Sequence, residues 1–145
     1  MSQMLLRVLR SSCIFVLGAM ACMLGVTKLS DFNGVNARAH SDWIRLFENV
    51  YAPLAQAQLT EYSIPVTIHH GSLRRAVGTL EVLCGAAMLL GSNSRICMWT
   101  LSLLMTSMCL VVARKDNEAL VFPVVLTFMS IFVALTIPTT KAKQQ

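Results

Sequence analysis

Glu81 is the residue whose type and position point most directly to chemistry, because it is the only charged residue in the apolar run 76–94. A carboxylate inside a membrane-spanning helix costs about 2.5 to 3.5 kcal/mol, and such residues are usually paired or functional. Lys28 closes the first apolar run, and Arg74 lies about two helical turns before Glu81 on the same face. We predict an intramembrane ion pair of Glu81 with Lys28, beside Arg74. Proton or ligand binding at Glu81 is the alternative.

The other residue types that could do chemistry form no recognisable site. No Ser/His/Asp order, P-loop or glycine-rich nucleotide motif is present. His69 and His70 are adjacent and therefore point different ways, so that with His40 they make only a weak metal hypothesis. The cysteines contain no C-x-x-C motif and are expected to be small packing residues: Cys13, Cys22, Cys84, Cys97 and Cys109. We expect no enzymatic activity, no metal and no cofactor.

Long apolar runs must position Glu81. The 145 residues are 55% hydrophobic and 13% charged, whereas soluble domains are about 25% charged. Four runs approach the roughly 20 residues that cross a bilayer, and they lack the polar stripe of a soluble helix: 11–27, 76–94, 96–113 and 119–140. This pattern predicts an all-α membrane protein, a four-transmembrane-helix bundle that forms a single domain over 1–145. The predicted helices span residues 8–28, 73–91, 95–113 and 119–138.

The first apolar run can also be interpreted as a cleavable signal peptide. Arg7 and Arg10 precede it, and Ala19 and Ala21 form an A-x-A arrangement. Hydrophobicity continues to Leu29, beyond the candidate cleavage point. We therefore favour an uncleaved first helix.

The loop 29–72 is the only long connection, and it contains a predicted amphipathic helix. Ser41 is a candidate N-cap of this helix, and Pro53 is its expected stop signal. Apolar residues fall on one face at helical spacing: Trp43, Leu46, Phe47, Val50, Tyr51 and Leu54. The helix either caps the bundle or lies on the bilayer surface. Capping is favoured because its polar face lacks the Lys/Arg richness of surface-binding helices.

Small residues mark the faces along which the first two long helices could approach each other. They recur at spacings typical of close helix contacts in membranes: Gly18, Cys22, Gly25, Gly78 and Gly85. Packing inside the bundle is the favoured interpretation. The alternative is an exposed docking face for another membrane protein, the client.

The C-terminal tail predicts the topology, because counting Lys and Arg on the two sides, five against seven, does not settle the orientation. With four spans, one side of the membrane carries basic residues and no acid: Arg7, Arg10, Arg95, Lys141 and Lys143. Lys141 and Lys143 resemble a di-lysine endoplasmic-reticulum retrieval signal, which is read in the cytosol. We therefore predict a multi-pass endoplasmic-reticulum membrane protein with both termini cytosolic and the loop 29–72 luminal. The net charge of +5 includes no basic block interleaved with aromatics, so nucleic acid is not an expected partner.

Three segments carry a resemblance to a known family. They are 25–29 (GVTKL), 75–85 (RAVGTLEVLCG) and 118–122 (EALVF). These segments resemble the DoxX-like four-helix membrane proteins, and within them the NACHO family of acetylcholine receptor chaperones. Segment 75–85 is the most specific of the three, because it places a glutamate inside an otherwise apolar span.

The resemblance implies a membrane chaperone of the endoplasmic reticulum that acts without ATP or cofactor. It would promote folding, assembly and surface expression of nicotinic acetylcholine receptors by binding unassembled subunits. The implied partners are receptor subunits, which are pentameric ligand-gated channels, and membrane lipid. Two alternatives stay open: a membrane partner of a redox enzyme, quinone or thiol linked, and a lipid- or sterol-binding bundle in which Glu81 polarises a lipid hydroxyl.

Overall fold

The computed structural model describes residues 3–31, 33–91, 95–115 and 121–136. These ranges are almost entirely helical, and no strand occurs within them. The predicted all-α class is confirmed. The described α-helices are α1 (Gln3–Leu29), α2 (Ala37–Leu46), α3 (Ala52–Glu61), α4 (His70–Leu89), α5 (Arg95–Lys115) and α6 (Val121–Thr136). A π-helical turn, Phe47–Tyr51, joins α2 to α3.

Of the described helices, α1 alone is long and apolar enough to cross a membrane. Its 27 residues extend about 40 Å, against a hydrocarbon core of about 30 Å. The apolar stretches in α5 and α6 are shorter, Arg95–Leu110 and Val124–Thr136. Helix α4 carries Arg74, Arg75 and Glu81 within its length. The four-span arrangement therefore stays a prediction.

The helix ends differ from the predicted ones by a few residues. Helix α1 begins five residues before the predicted residue 8, α4 covers His70–Leu89 rather than 73–91, and α5 extends to Lys115. Helix α6 covers 121–136 of the predicted 119–138, and the other four residues lie outside the described ranges. Left-handed backbone follows two of these ends, at Gly34 after α1 (φ 90°) and Gly91 after α4 (φ 82°). Glycine adopts this conformation without a Cβ clash.

The loop helix is longer than predicted at both ends. Ser41 is not its N-cap, because the helix begins at Ala37 and the Ser41 hydroxyl donates to the Arg38 carbonyl inside it. Pro53 does not end it either. The π turn lies directly before α3, and in it the Ala52 N–H donates to the Phe47 carbonyl. Pro53 lies in the first turn of α3, directly after this π turn.

Helix α3 ends in a Schellman motif. The Ile64 N–H donates to the Leu59 carbonyl at 2.9 Å, and the Ser63 N–H donates to the Thr60 carbonyl at 3.0 Å. Ser63 supplies the left-handed residue that this motif requires, with φ of 56°. The chain then runs without helix from residue 64 to residue 69, before α4 begins.

The chain divides into two compact units. The terminal unit comprises Met1–Ala21 with Cys84–Gln145, and the central unit comprises Cys22–Leu83. Within the terminal unit, the buried side chains are mainly apolar: Leu17, Ala21, Cys84, Met88, Met98, Leu101, Met105, Leu126, Val133 and Ala134. Within the central unit, the buried set combines Phe47 and Ala52 with three charged residues, Lys28, Arg74 and Glu81. The single-domain prediction is not tested by this division.

Candidate functional site

A fully buried ion pair lies in the central unit, between the end of α1 and the middle of α4. The Lys28 Nζ lies 2.6 Å from Glu81 Oε2 and 2.8 Å from Oε1, so it contacts both oxygens. Both residues are 0% exposed. The structure thus brings together the two residues that the sequence predicts as partners. Removing either ion from water costs several kcal/mol, so each charge depends on the other.

Trp43 of α2 covers the ammonium group of this pair. The Lys28 Nζ lies 3.9 Å from the centroid of the Trp43 ring, a cation–π arrangement. The indole is held in place by Thr27, because the Trp43 Nε1–H donates to the Thr27 hydroxyl at 3.1 Å. That hydroxyl in turn donates to the Leu24 carbonyl at 2.9 Å. The ammonium therefore contacts both a carboxylate and an oriented aromatic ring.

An aromatic row extends the cover along α2 and the π turn. Trp43 and Phe47 have ring centroids 6.4 Å apart, and Phe47 stacks on Tyr51 at 4.7 Å. Phe47 is buried, and Val50 and Tyr51 are half-buried. Leu54, the last residue of the predicted apolar face, is 37% exposed, because the π turn rotates α3 away from the face used by α2. The amphipathic helix is present, and its luminal location stays a prediction.

Two basic side chains hold the C-terminal end of α1. The His40 Nδ1 lies 2.8 Å from the Thr27 carbonyl and donates to it, since a carbonyl only accepts. An Arg74 NH group donates to the Lys28 carbonyl. The last carbonyls of a helix have no partner within the helix, and cationic groups are favourable at this end. Arg74 thus contacts the Lys28 main chain and is not a third member of the ion pair.

The Arg74 side chain is buried, at 9% exposure, and one of its hydrogen-bond donors is not used. Its Nε–H has no acceptor among the residues that the structure describes. The sequence placed Arg74 on the Glu81 side of α4 but could not show that a backbone carbonyl would be its partner.

Glycines allow α1 and α4 to approach closely enough for the pair to form. A Cβ on Gly25 would lie 2.6 Å from the Gly78 carbonyl oxygen and 2.8 Å from a Val82 methyl group. A Cβ on Gly78 would lie 3.0 Å from the Gly25 oxygen. Cys22 also borders this contact, with its Sγ 3.8 Å from the Val82 carbonyl oxygen. The predicted small-residue packing between the two helices is present here.

The terminal unit contains its own close glycine contact. A Cβ on Gly18 would lie 3.1 Å from the Gly85 carbonyl oxygen and 3.0 Å from the Leu89 Cγ. Both distances exceed the 2.6 Å that would separate a Gly25 Cβ from the Gly78 oxygen. This contact is therefore looser than the one between Gly25 and Gly78.

The remaining candidates do not converge on a site. The five cysteines are free thiols. The prediction that His69 and His70 point different ways is wrong, because their rings stack with centroids 4.7 Å apart, whereas His40 contacts Thr27. No group of three His, Cys, Asp or Glu residues that could hold a metal occurs in the described part of the chain. Lys141 and Lys143, the candidate retrieval signal, lie outside the described residues.

Sequence reasoning missed Thr27 and the capping role of His40. Thr27 lies inside the GVTKL segment, so its position next to Lys28 was a signal that could have identified it. A buried polar contact in the terminal unit was also missed, in which the Ser102 hydroxyl lies 3.0 Å from the Ser130 hydroxyl between α5 and α6.

No protein-family model, curated protein or solved structure matches this sequence.

Proposed function

We propose that this chain is an endoplasmic-reticulum membrane chaperone. It promotes folding, assembly and surface expression of nicotinic acetylcholine receptors by binding their unassembled subunits. One observation supports the proposal: two of the segments that carry the resemblance to the chaperone family, 25–29 and 75–85, form one packed site. Gly25 lies against Gly78 there, and Lys28 is paired with Glu81.

The properties of the ion pair fit a structural role. Its two charges neutralise each other at 2.6 Å, and both are closed off from solvent. Such a pair has neither an open ligand position nor a water-accessible acid or base. Its role in the proposal is to fix α1 against α4 within the central unit, so that the rest of the chain can bind a client without catalysis.

Exposed apolar side chains supply the client-binding surface. The outer face of α1 carries Met4, Val8, Phe15 and Met23, each more than half exposed. Helices α5 and α6 present a similar set: Ile96, Leu103, Leu110, Phe128 and Leu135. In the proposed four-span arrangement these residues face lipid or the intramembrane surface of an unassembled subunit. The next subunit displaces the chaperone when it binds the same surface.

The test is co-expression with receptor subunits, scored by surface binding of a labelled toxin that recognises assembled receptors. We expect the wild-type chain to raise toxin binding over empty vector. The matched control is Gly25→Leu, which cannot keep the close approach to Gly78. No gain for any receptor subtype contradicts the proposal, and bound quinone, a redox-active disulfide or bound sterol in purified protein favours one of the alternative functions.

The proposed topology has a test of its own. Gln58→Asn creates the acceptor sequence Asn-Leu-Thr at 58–60, on an exposed part of α3. We expect an endoglycosidase-sensitive shift on a gel if α3 is luminal. The double variant Gln58→Asn, Thr60→Ala lacks the acceptor sequence and is the matched control. An unshifted Gln58→Asn protein places α3 in the cytosol and contradicts the topology.

A further inference from the structure

The connection between α3 and α4 presents apolar side chains to its surroundings. Residues 62–73 contain no Asp, Glu, Lys or Arg. Tyr62, Ile64 and Val66 are 72%, 44% and 52% exposed, and Pro65 is exposed as well. Apolar side chains that are exposed together in this way mark a contact with another molecule or with a membrane.

The connection is a compact turn. The Val66 N–H donates to the Ile64 carbonyl at 2.8 Å, which closes a three-residue turn centred on Pro65. This turn directly follows the Schellman motif that ends α3. The three exposed apolar side chains are therefore carried on one short loop, and the chain is not extended in the way that pairing with a strand requires.

The loop uses its main-chain donors internally. The N–H groups of Tyr62, Ser63 and Ile64 donate to carbonyls of α3 at 2.9 to 3.1 Å. Val66 donates within the turn, and Pro65 has no N–H. No main-chain donor from residue 62 to residue 66 is therefore left for water or for a second chain. In hydrocarbon an unbonded main-chain group is costly, so this arrangement suits a surrounding of low polarity.

Gln56 of α3 extends the internal bonding to the end of the loop. Its Nε2–H donates to the Val66 carbonyl at 3.0 Å, and its Oε1 accepts from the Ile68 N–H at 2.8 Å. Thr67 is the exception, because its N–H has no hydrogen bond among the residues that the structure describes. The loop thus combines exposed apolar side chains with a main chain that has little left to offer a protein partner.

The loop is tied to the start of α4, which is the second predicted span. Four residues separate Val66 from His70, the first residue of α4, so the two lie within about 14 Å of each other. Further along α4, Leu80 and Leu83 are exposed and continue the apolar surface. Arg75 is exposed near the start of the helix and supplies a cation where the phosphate groups of a bilayer would lie.

We propose that the loop 62–68 inserts the side chains of Tyr62, Ile64 and Val66 into the interfacial region of the bilayer that α4 crosses. The inference rests on the membrane location in the proposed function, and it adds a surface that holds the end of α3 against lipid. Phospholipid is the occupant because it covers apolar side chains without requiring main-chain donors. The phenol of Tyr62 and the N–H of Thr67 find oxygen partners among the ester and phosphate groups.

The first experiment places a photo-reactive residue at position 64 of the full-length protein in phosphatidylcholine nanodiscs. Position 54 is the matched control, because Leu54 is also apolar and 37% exposed but lies at the other end of α3. Position 15 is the reference for lipid contact, because Phe15 is 67% exposed in the middle of α1. We expect the phospholipid adduct from position 64, measured by mass spectrometry, to be at least tenfold stronger than that from position 54.

The outcomes separate the loop from the membrane location. Equal lipid adducts from positions 64 and 54, or adducts from position 64 to protein only, overturn the inference. A lipid adduct from position 15 in that case leaves the membrane location standing, and toxin binding continues to decide the chaperone role. The absence of a lipid adduct from position 15 overturns both the insertion and the membrane location.

The second experiment tests the part played by the internal main-chain bonds. Gln56→Ala releases the Val66 carbonyl and the Ile68 N–H, whereas Gln58→Ala changes an exposed side chain of the same helix and is the control. With the photo-reactive residue kept at position 64, we expect Gln56→Ala to lower the lipid adduct at least threefold and Gln58→Ala to leave it unchanged. Equal adducts in the two variants overturn the role of Gln56 in insertion.

Discussion

The terminal unit and the central unit are both built from packed helices, but they differ in what is buried. The terminal unit buries apolar side chains and two serines whose hydroxyls lie 3.0 Å apart. Each serine also has a carbonyl of its own helix as an acceptor, Met98 for Ser102 and Thr127 for Ser130. The central unit buries Lys28 and Glu81, which have only each other as ionic partners among the described residues.

The difference teaches where a single substitution is tolerated. A serine that loses its neighbour still has a carbonyl to bond, so no polar group is stranded. A buried ion that loses its partner has no such substitute, and the desolvation cost then remains without compensation. The central unit is therefore expected to be the more sensitive of the two, and four comparisons of variants test this contrast.

Loss of the Glu81 charge is expected to have the largest effect. Glu81→Gln leaves the Lys28 ammonium buried without a counter-ion, and breaking such a pair costs about 3 to 5 kcal/mol. Thermal unfolding in detergent measures the loss. The double variant Lys28→Met, Glu81→Leu removes both charges and is the control that should recover most of the stability. Wild-type stability of Glu81→Gln would show that the pair contributes little.

We expect the closer of the two glycine contacts, that of Gly25, to lose more stability when an alanine is introduced. Gly25→Ala places a Cβ 2.6 Å from the Gly78 carbonyl oxygen, whereas the atoms nearest to a Gly18 Cβ, in Leu89 and the Gly85 carbonyl, lie 3.0 to 3.1 Å away. Overpacking typically costs about 1 to 3 kcal/mol, and we expect Gly25→Ala to lie in that range and Gly18→Ala below it. The melting temperatures of the two variants give the comparison. A lower melting temperature for Gly18→Ala would reverse the ranking of the units.

Loss of the indole N–H is expected to have a smaller effect. Trp43→Phe keeps an aromatic ring near Lys28 but deletes the bond to the Thr27 hydroxyl, which is worth about 1 kcal/mol. Trp99→Phe in the terminal unit is the matched control, because Trp99 is half exposed. Denaturant midpoints should move only for Trp43→Phe. Equal shifts would mean that the Trp43 cover contributes no specific bond.

The smallest effect is expected for the serine pair. Ser130→Ala removes one hydroxyl, but Ser102 can still donate its single hydroxyl proton to the Met98 carbonyl at 2.9 Å. We expect a loss of about 1 kcal/mol or less, with exposed Ser12→Ala as the control without effect. A loss that equals that of Glu81→Gln would show that the two cores are equally sensitive.

The sequence predicted the ion pair because few alternatives existed. Glu81 is the only acid in its run, and Lys28 ends the preceding one. Helical periodicity likewise predicted the buried face through Trp43, Phe47 and Tyr51. These features depend on residue type and local spacing, which a single chain displays directly.

Contacts between distant polar groups could not be predicted in the same way. The partner of Arg74 is a backbone carbonyl, and Gln56 bonds main-chain groups ten and twelve residues further on. Both partners are main-chain groups, which residues of every type carry, so the residue type does not identify them. Pro53 was wrongly taken as a helix end, because a π turn needs no distinctive sequence and shows itself only in the hydrogen-bond pattern.

The π turn Phe47–Tyr51 has a consequence for insertions and deletions in this chain. One additional residue in a helical turn advances every later side chain by about 100° around the axis. Deleting one residue in this turn would return α3 to the phase of α2, bring Leu54 towards the buried side and move Gln56 away from Val66 and Ile68. The length of this segment, rather than its composition, thus sets whether Gln56 reaches the main chain of Val66 and Ile68.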